Sequence, residues 1–148
     1  MPTISEFFSA QHRSCDLLLE KMEAAVDRDD WQQAEILFDQ VRAETLQHLE
    51  NEEQGLFPLF EQATGMRQGP TQVMRSEHGE LRELLQRLGA DIQAQDQNAA
   101  LGTTETLFLF LQQHNVKEEQ VLYPMADQAL QGSLAELSEK VPGFAAGS

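Results

Sequence analysis

The four histidines of this chain fall into two pairs with the same separation, and glutamates accompany one of the pairs. His12 and His78 are 66 positions apart, and so are His48 and His114. Each histidine of the second pair is followed four residues later by a glutamate. Because the repeat preserves metal-binding residue types, it argues for a metal site built from two similar halves. The candidate ligands are His12, His48, Glu52, His78, His114 and Glu118.

The similarity between the halves is strongest in the segments that begin at the second pair of histidines. Residues 48–60, HLENEEQGLFPLF, align without a gap with residues 114–126, HNVKEEQVLYPMA. Upstream the agreement is looser, with His-x5-Leu-Leu-x-Lys at 12–21 against His-x5-Leu-Leu-x-Arg at 78–87. The repeat therefore includes all four candidate histidines and both candidate glutamates.

Helical geometry places each imidazole beside its partner carboxylate. Residues four apart lie one turn apart on the same helix face. The adjacent glutamates, Glu53 and Glu119, fall about 100° further round and are predicted to be solvated or to contact the ligands from outside. Four nitrogens and two carboxylates exceed the needs of one tetrahedral zinc and suit two ions bridged by the carboxylates. Such ions would keep coordination positions that no protein side chain fills, and these positions indicate ligand binding or redox chemistry.

The alternative for each histidine alone is an ordinary hydrogen-bonded core residue, and a single His-x-x-x-Glu is common on solvated helices. The flanking positions are apolar, however, so several unpaired polar groups there would be costly to bury. Metal binding is therefore the favoured interpretation.

Cys15 could border the site, although a small core thiol is the simpler expectation. Tyr123 aligns with Phe57, and we expect it to pack with a polar tip rather than reach the pocket.

Glycine, proline and acidic breaks divide the chain into four long segments with helical periodicity. No alternating strand pattern is present, so an all-α, up-down-up-down antiparallel four-helix bundle is predicted. Pro58 and Pro124 should bend the second and fourth helices, either curving the bundle end over the core or closing a pocket. The predicted helices span about 5–28, 31–62, 71–95 and 103–131, with Asp96 to Gly102 as a linker and a short fifth helix over 134–141.

Composition narrows the classes of function. The 148 residues are 41% hydrophobic and predict a single domain, 1–148, with the bundle at about 4–131 and a tail at 132–148. A formal charge of −15 argues against nucleic-acid and membrane-surface partners. One cysteine excludes an internal disulfide framework, and no signal peptide or membrane-spanning run is evident. We therefore expect a cytoplasmic protein, either a monomer or a homodimer.

The ligand pattern resembles the hemerythrin-like, or HHE cation-binding, family over about residues 4–131. The paired Glu-Glu-x-x-Leu-Phe/Tyr-Pro segments strengthen the likeness, whereas ferritin-like bundles place the carboxylate before the histidine. The resemblance implies two iron ions, Fe2+ or Fe3+ with an oxo or hydroxo bridge, and Zn or Mn as substitutes. It also implies that these six side chains are the metal ligands, with no separate catalytic residue.

Two positions depart from the oxygen-carrying members of that family. Those proteins have a further histidine one turn before the third helix's ligand, where this chain has Met74, and an aspartate where it has Glu118. The four-histidine, two-glutamate set is instead similar to that of iron–sulfur cluster repair proteins, which usually carry an N-terminal cysteine segment that this sequence lacks.

Three functions follow from these comparisons. The preferred one is a di-iron protein that binds O2, NO or peroxide for sensing, storage or stress response, rather than a conventional enzyme. The second is cluster repair. The third is a zinc-bound or metal-free helical module that binds a protein partner.

Overall fold

The computed structural model describes residues 2–144, and these residues form helices and connecting turns without any β-strand. The predicted all-α class is therefore confirmed. Two π-helical segments each join two α-helices into one continuous run, so residues 2–144 form five helical runs. The elements are α1 (Ile4–Asp27), α2 (Trp31–Glu50), a first π segment (Asn51–Leu56), α3 (Phe57–Thr64), α4 (Pro70–Gln93), α5 (Gln97–Lys117), a second π segment (Glu118–Leu122), α6 (Tyr123–Ala129) and α7 (Leu134–Lys140).

The start of α1 is fixed by both a local and a distant cap. Thr3 and Glu6 form the predicted capping box, in which the Thr3 hydroxyl accepts from the Glu6 amide. Asp127, more than 120 positions away, accepts from the amide of Ile4 at 2.7 Å and from the hydroxyl of Ser5 at 2.5 Å. A carboxylate at a helix N-terminus also complements the helix dipole. This contact ties α1 to α6.

The prediction of a linker from Asp96 to Gly102 is wrong, because α5 begins at Gln97. Asp96 is the N-cap, and its side chain accepts from the amide of Ala99. Gly102 lies inside the helix and does not interrupt it. An isolated glycine costs a helix only about 1 kcal/mol, which flanking helical residues can offset. The cap residue marks this boundary better than the glycine does.

Pro58 and Pro124 are the second residues of α3 and α6, the helices that follow the two π segments. Proline has no amide hydrogen, and its ring collides with the carbonyl four residues earlier in a regular α-helix. The preceding residues, Phe57 and Tyr123, instead bond to carbonyls five residues back, those of Glu52 and Glu118. The wider turn accommodates the proline while the helical run continues. The sequence predicted a disturbance at these positions, but not its π-helical form.

The long helices contact one another in a closed order and hold two hydrophobic clusters. α1 packs against α2 and α5, and α4 packs against the same two helices. Along α1 and α4 the candidate histidine separates residues of one cluster from residues of the other, as His78 separates Met74 from Leu81. The polar centre therefore lies between two apolar layers. None of the described helices is long and apolar enough to cross a membrane.

The short helix α7 covers the first π segment. Leu137, Val141 and Phe144 are buried, so this part of the predicted tail belongs to the core. Residues 145–148, the rest of that tail, lie outside the described residues. A Cβ built on Gly55 would stand 2.6 Å from the Cγ2 atom of Val141. Glycine at this position therefore allows the close approach of α7.

We predict that Gly55→Ala lowers the free energy of unfolding by about 1–3 kcal/mol, because the added methyl collides with Val141. Gly102→Ala is the matched control: nothing lies within 4 Å of its added Cβ, and alanine should stabilise α5 by up to about 1 kcal/mol. Urea-induced unfolding measures both effects. Equal stability of Gly55→Ala and the parent would show that α7 does not pack there as described.

Candidate metal centre

The structure brings all six sequence-predicted side chains together in the interior. None is more than 5% exposed, and both glutamates are fully buried. Each histidine comes from a different long helix, and each glutamate comes from a π segment. They form two groups in which the ligand atoms lie within 4.8 Å of one another. The first group is Glu52, His78, His114 and Glu118, and the second is His12, His48 and Glu118.

The four imidazoles share one orientation, with Nε2 directed into the cluster and Nδ1 directed outward. The Nε2 atoms of His12 and His48 lie 3.1 Å apart. Every Nδ1 faces an oxygen acceptor: Glu119 for His12 at 2.7 Å, Gln11 for His48 at 2.6 Å, Glu53 for His78 at 2.7 Å and Glu77 for His114 at 2.8 Å. An imidazole that donates from Nδ1 to such an acceptor keeps its Nε2 lone pair free for a metal.

Buried atoms without hydrogen bonds provide the test of whether a metal fits. Glu52 Oε1, His78 Nε2, His114 Nε2 and Glu118 Oε2 have no hydrogen-bond partner. Their neighbours are near, since His78 Nε2 is 3.0 Å from Glu52 Oε1, but the pair does not meet hydrogen-bond geometry. Leaving such groups unpaired in an apolar interior is costly. A cation accepts lone pairs from nitrogen and oxygen alike. These imidazole nitrogens and carboxylate oxygens therefore fit a metal as ligands.

The charges in the cluster are strongly coupled. Burial and the nearby Glu118 carboxylate raise the pKa of Glu52. Burial also opposes ionisation of Glu118, but the close approach of Glu52 and of three histidines holds its pKa well below the usual value. Burial disfavours the imidazolium form of His114, yet Glu118 outweighs it and raises the pKa of His114 to about 9. The pKa of His12 rises for the same reasons. Positive charge is therefore favoured at this position, and bound cations would supply it in place of protons.

The expectation for Tyr123 is wrong: its hydroxyl reaches the centre. The residue is fully buried, and its oxygen lies 2.6 Å from Glu52 Oε2, 3.0 Å from Glu118 Oε1 and 3.1 Å from His12 Nε2. The ring stacks on His12, while Phe57, the equivalent residue in the other half, stacks on His78. The two rings are alike in packing, and only one of them carries an oxygen into the cluster.

Sequence reasoning missed Gln11 and Glu77, the acceptors for His48 and His114. A signal was present, because these residues are also 66 positions apart and each immediately precedes a candidate histidine. The predicted outer contacts of Glu53 and Glu119 are confirmed. Glu53 is also bound by Arg82, and Glu77 by Lys117. Both of these cation-paired acceptors serve the histidines of the first group.

A small buried cavity, about 10 Å³ in volume, adjoins three of the histidines. Cys15 lines it, so the thiol does border the site, and burial raises its pKa to about 11. Met74, which stands where oxygen carriers have a seventh ligand, is buried among apolar side chains. The lining residues of the cavity are His12, Cys15, Asp16, Thr45, His48, Leu49, Leu81, Leu111, His114 and Asn115.

A much larger surface groove, about 590 Å³ between α2 and α4, contains none of the six residues. Size alone would direct attention to that groove. The small cavity, in contrast, is lined by three of the six residues, including His114, whose Nε2 has no hydrogen-bond partner. The chemistry of this chain is therefore located in the interior.

Comparison with protein families agrees with this geometry. Residues 3–126 match the model of the hemerythrin HHE cation binding domain. This chain belongs to that family. The matched region contains every residue of the hemerythrin-like cluster, and α7 follows it. Searches of curated proteins and of solved structures found no significant match. The family and the buried histidine–glutamate cluster together indicate a metal-binding protein.

Proposed function

We propose that this hemerythrin-like domain is a non-haem di-iron protein that binds O2, NO or peroxide for sensing, storage or stress response. The observation that carries the proposal is that four buried atoms of the candidate ligands, two imidazole nitrogens and two carboxylate oxygens, have no hydrogen-bond partner. The six ligands in this proposal are those of the two groups described above. When bound, iron would supply redox chemistry and an open coordination position.

The proposed scaffold is an up-down-up-down four-helix bundle. The turn from Arg28 to Asp30 joins α1 to α2, and these helices pack against each other, which supports an antiparallel pair. A similarly short turn joins α4 to α5, which also pack together. In this arrangement four helices each contribute one imidazole to the same level. The bundle thereby sets the spacing between ligands before any metal arrives.

The donor types support iron over a structural zinc site. Both groups consist of imidazole and carboxylate, whereas structural zinc sites generally use thiolates as well. Cys15 is in neither group, and burial keeps its thiol protonated. The chain's own role is to hold the imidazoles in one tautomer, through the outer acceptors on Nδ1, and to exclude water with the two apolar clusters. This arrangement suits a metal that changes its oxidation state.

The cavity beside His12, His48 and His114 supports a very small ligand. Its volume of about 10 Å³ is near the minimum that holds one water molecule. A diatomic ligand could enter with slight side-chain movement, whereas a larger organic substrate has no room. Leu81 and Leu111 form part of the wall, and such apolar walls favour a neutral diatomic over an anion.

The function is tested with iron-loaded protein, reduced under anaerobic conditions and exposed to NO or O2. We expect a new near-ultraviolet or visible absorption band that depends on the added gas. Leu111→Phe should retain iron but weaken the response by about tenfold or more, because the larger ring fills the cavity.

The matched control is Leu107→Phe, one turn away on the same helix, which is buried but does not line the cavity. It should have a similar cost in stability and keep the ligand response. An iron-loaded parent that gives no spectral change with either gas would count against ligand binding. A parent that takes up zinc but no iron would favour the zinc-bound interaction module.

A further inference from the structure

A surface groove between α1 and α5 is acidic and adjoins the cavity beside the histidines. Its volume is about 450 Å³, and none of its lining residues is a lysine or an arginine. Four carboxylates line it, together with two apolar and two neutral polar side chains. The lining residues of this acidic groove are Asp16, Leu19, Glu20, Glu23, Thr104, Glu105, Phe108 and Gln112. A groove with charges of one sign concentrates counterions and speeds their association.

Helical spacing brings the carboxylates of the acidic groove together. Asp16, Glu20 and Glu23 are at positions i, i+4 and i+7 of α1 and share one helix face. Glu105 is on α5, which packs against α1. Among residues 2–144, no lysine or arginine forms an ion pair with any of the four. Three of them are exposed and Asp16 is partly buried, so the uncompensated negative charge extends from solvent inward to Asp16.

Asp16 is the residue that the acidic groove and the small buried cavity have in common. The side-chain amide of Gln112 donates to its two oxygens, at 3.4 and 3.5 Å, and so holds the carboxylate at this boundary. Burial raises the pKa of Asp16, and Gln112 and His12 partly offset that rise. His114 lines the cavity as well, and its Nε2 is buried without a hydrogen-bond partner. One small cavity therefore separates an unpaired imidazole nitrogen from the carboxylate at the inner end of the groove.

We propose that divalent cations reach the buried centre through the acidic groove, and that Asp16 is the carboxylate that transfers them from the groove into the cavity. This inference rests on the proposed metal centre and adds the route by which the centre is filled. The cavity, about 10 Å³ in volume, is near the minimum for one water molecule, so an ion cannot pass with its hydration shell intact. The oxygens of Asp16 replace lost water ligands as the ion sheds them. His12 and His114, which also line the cavity, then receive the ion.

A second groove, between α1 and α2, is the alternative route, because Cys15 and His48 line both that groove and the cavity. Its lining has a single carboxylate, Glu44. Burial raises the pKa of the Cys15 thiol to about 11, so the thiol stays protonated, and His48 Nδ1 is bonded to Gln11. The inner end of the α1–α2 groove therefore offers a cation no charged oxygen. The distribution of charge favours the acidic groove.

The test measures how fast the metal-free protein takes up Co2+, by stopped-flow detection of the visible absorption of bound cobalt. Asp16→Asn should slow uptake by about tenfold or more and still reach the final absorption of the parent, because it removes the charge at the boundary but no ligand of the centre. The double variant Glu20→Gln, Glu23→Gln should be slower than the parent at low ionic strength and similar to it at high ionic strength. Both of its sites are exposed, so it gives a second measurement if Asp16→Asn fails to fold.

Glu44→Gln is the matched control, since it removes one carboxylate from the α1–α2 groove. Its uptake rate should equal that of the parent. An unchanged rate in Asp16→Asn, or a greater loss of rate in Glu44→Gln, would overturn the route while leaving the metal centre intact. Less cobalt at saturation in Asp16→Asn would also overturn it, because Asp16 would then be a ligand rather than an entry residue. A parent that binds no cobalt at all would overturn the proposed centre itself.

Discussion

Replacement of Glu118 with glutamine is expected to remove metal from both positions at once, the largest effect of any single substitution in this chain. Glu118 is the one residue common to both groups of candidate ligands, and its Oε1 lies 3.0 Å from His12 Nε2 and 3.2 Å from His114 Nε2. Loss of an outer hydrogen-bond partner typically costs about 10–100-fold in metal affinity, so loss of a shared ligand should exceed about 100-fold. Metal content after reconstitution and desalting measures it.

Two further variants make this prediction specific. Glu52→Gln should also lower the metal content, but by less than Glu118→Gln, since Glu52 belongs to one of the two groups and Glu118 to both. Glu105→Gln, an exposed residue on α5, alters net charge in the same way and should leave the metal content unchanged. If Glu118→Gln retained as much metal as Glu105→Gln, then the metal would be bound elsewhere on this acidic protein.

Removal of metal is expected to lower the melting temperature by about 10 °C or more. A ligand present at about 1,000 times its dissociation constant stabilises the folded state by about 4 kcal/mol, and in a protein of this size each kcal/mol shifts the melting temperature by about 2–4 °C. The structural reason is that the same buried atoms that would bind metal have no hydrogen bonds without it. Calorimetric scans with and without a chelator measure the shift.

The Glu118→Gln variant provides the control for the chelator itself. Because that variant should hold no metal, its melting temperature should not respond to chelation. Coincident scans of the parent with and without chelator would contradict a metal that ties the helices together. An equal response in both proteins would show that the chelator acts by another route.

The sequence was sufficient to predict which six side chains would meet, because two regularities reinforced each other. The four-residue spacing puts His48 and Glu52 on one face of a helix, and the 66-residue repeat copies that pair as His114 and Glu118. Both the four-residue spacing and the 66-residue repeat can be seen in the sequence without knowledge of how the helices pack. The meeting of the two halves then follows from burying four apolar helix faces together.

What the sequence did not predict depends on distances between helices. Tyr123 could be assigned to packing or to the pocket, and only the tertiary structure shows that its oxygen is 2.6 Å from Glu52. The π segments before Pro58 and Pro124 were missed because proline signals a disturbance without specifying how the backbone resolves it.

The acceptors of the histidine Nδ1 atoms illustrate the same limit. Gln11 is on α1 but serves His48 on α2, and Glu77 is on α4 but serves His114 on α5. No spacing along one helix reveals a contact between two helices. Extending the repeat outward from the ligands would nevertheless have identified both residues as a matched pair.

The most direct test of the metal centre is anomalous diffraction from crystals of the iron-loaded protein, measured at the iron absorption edge. Two anomalous peaks are predicted between the imidazoles, each within bonding distance of the Nε2 atoms of two histidines, about 2.0–2.1 Å if iron resembles zinc. One peak should lie near His78 and His114, and the other near His12 and His48, with Glu118 reaching both. Peaks confined to surface carboxylates, or no peak inside the cluster, would contradict the account.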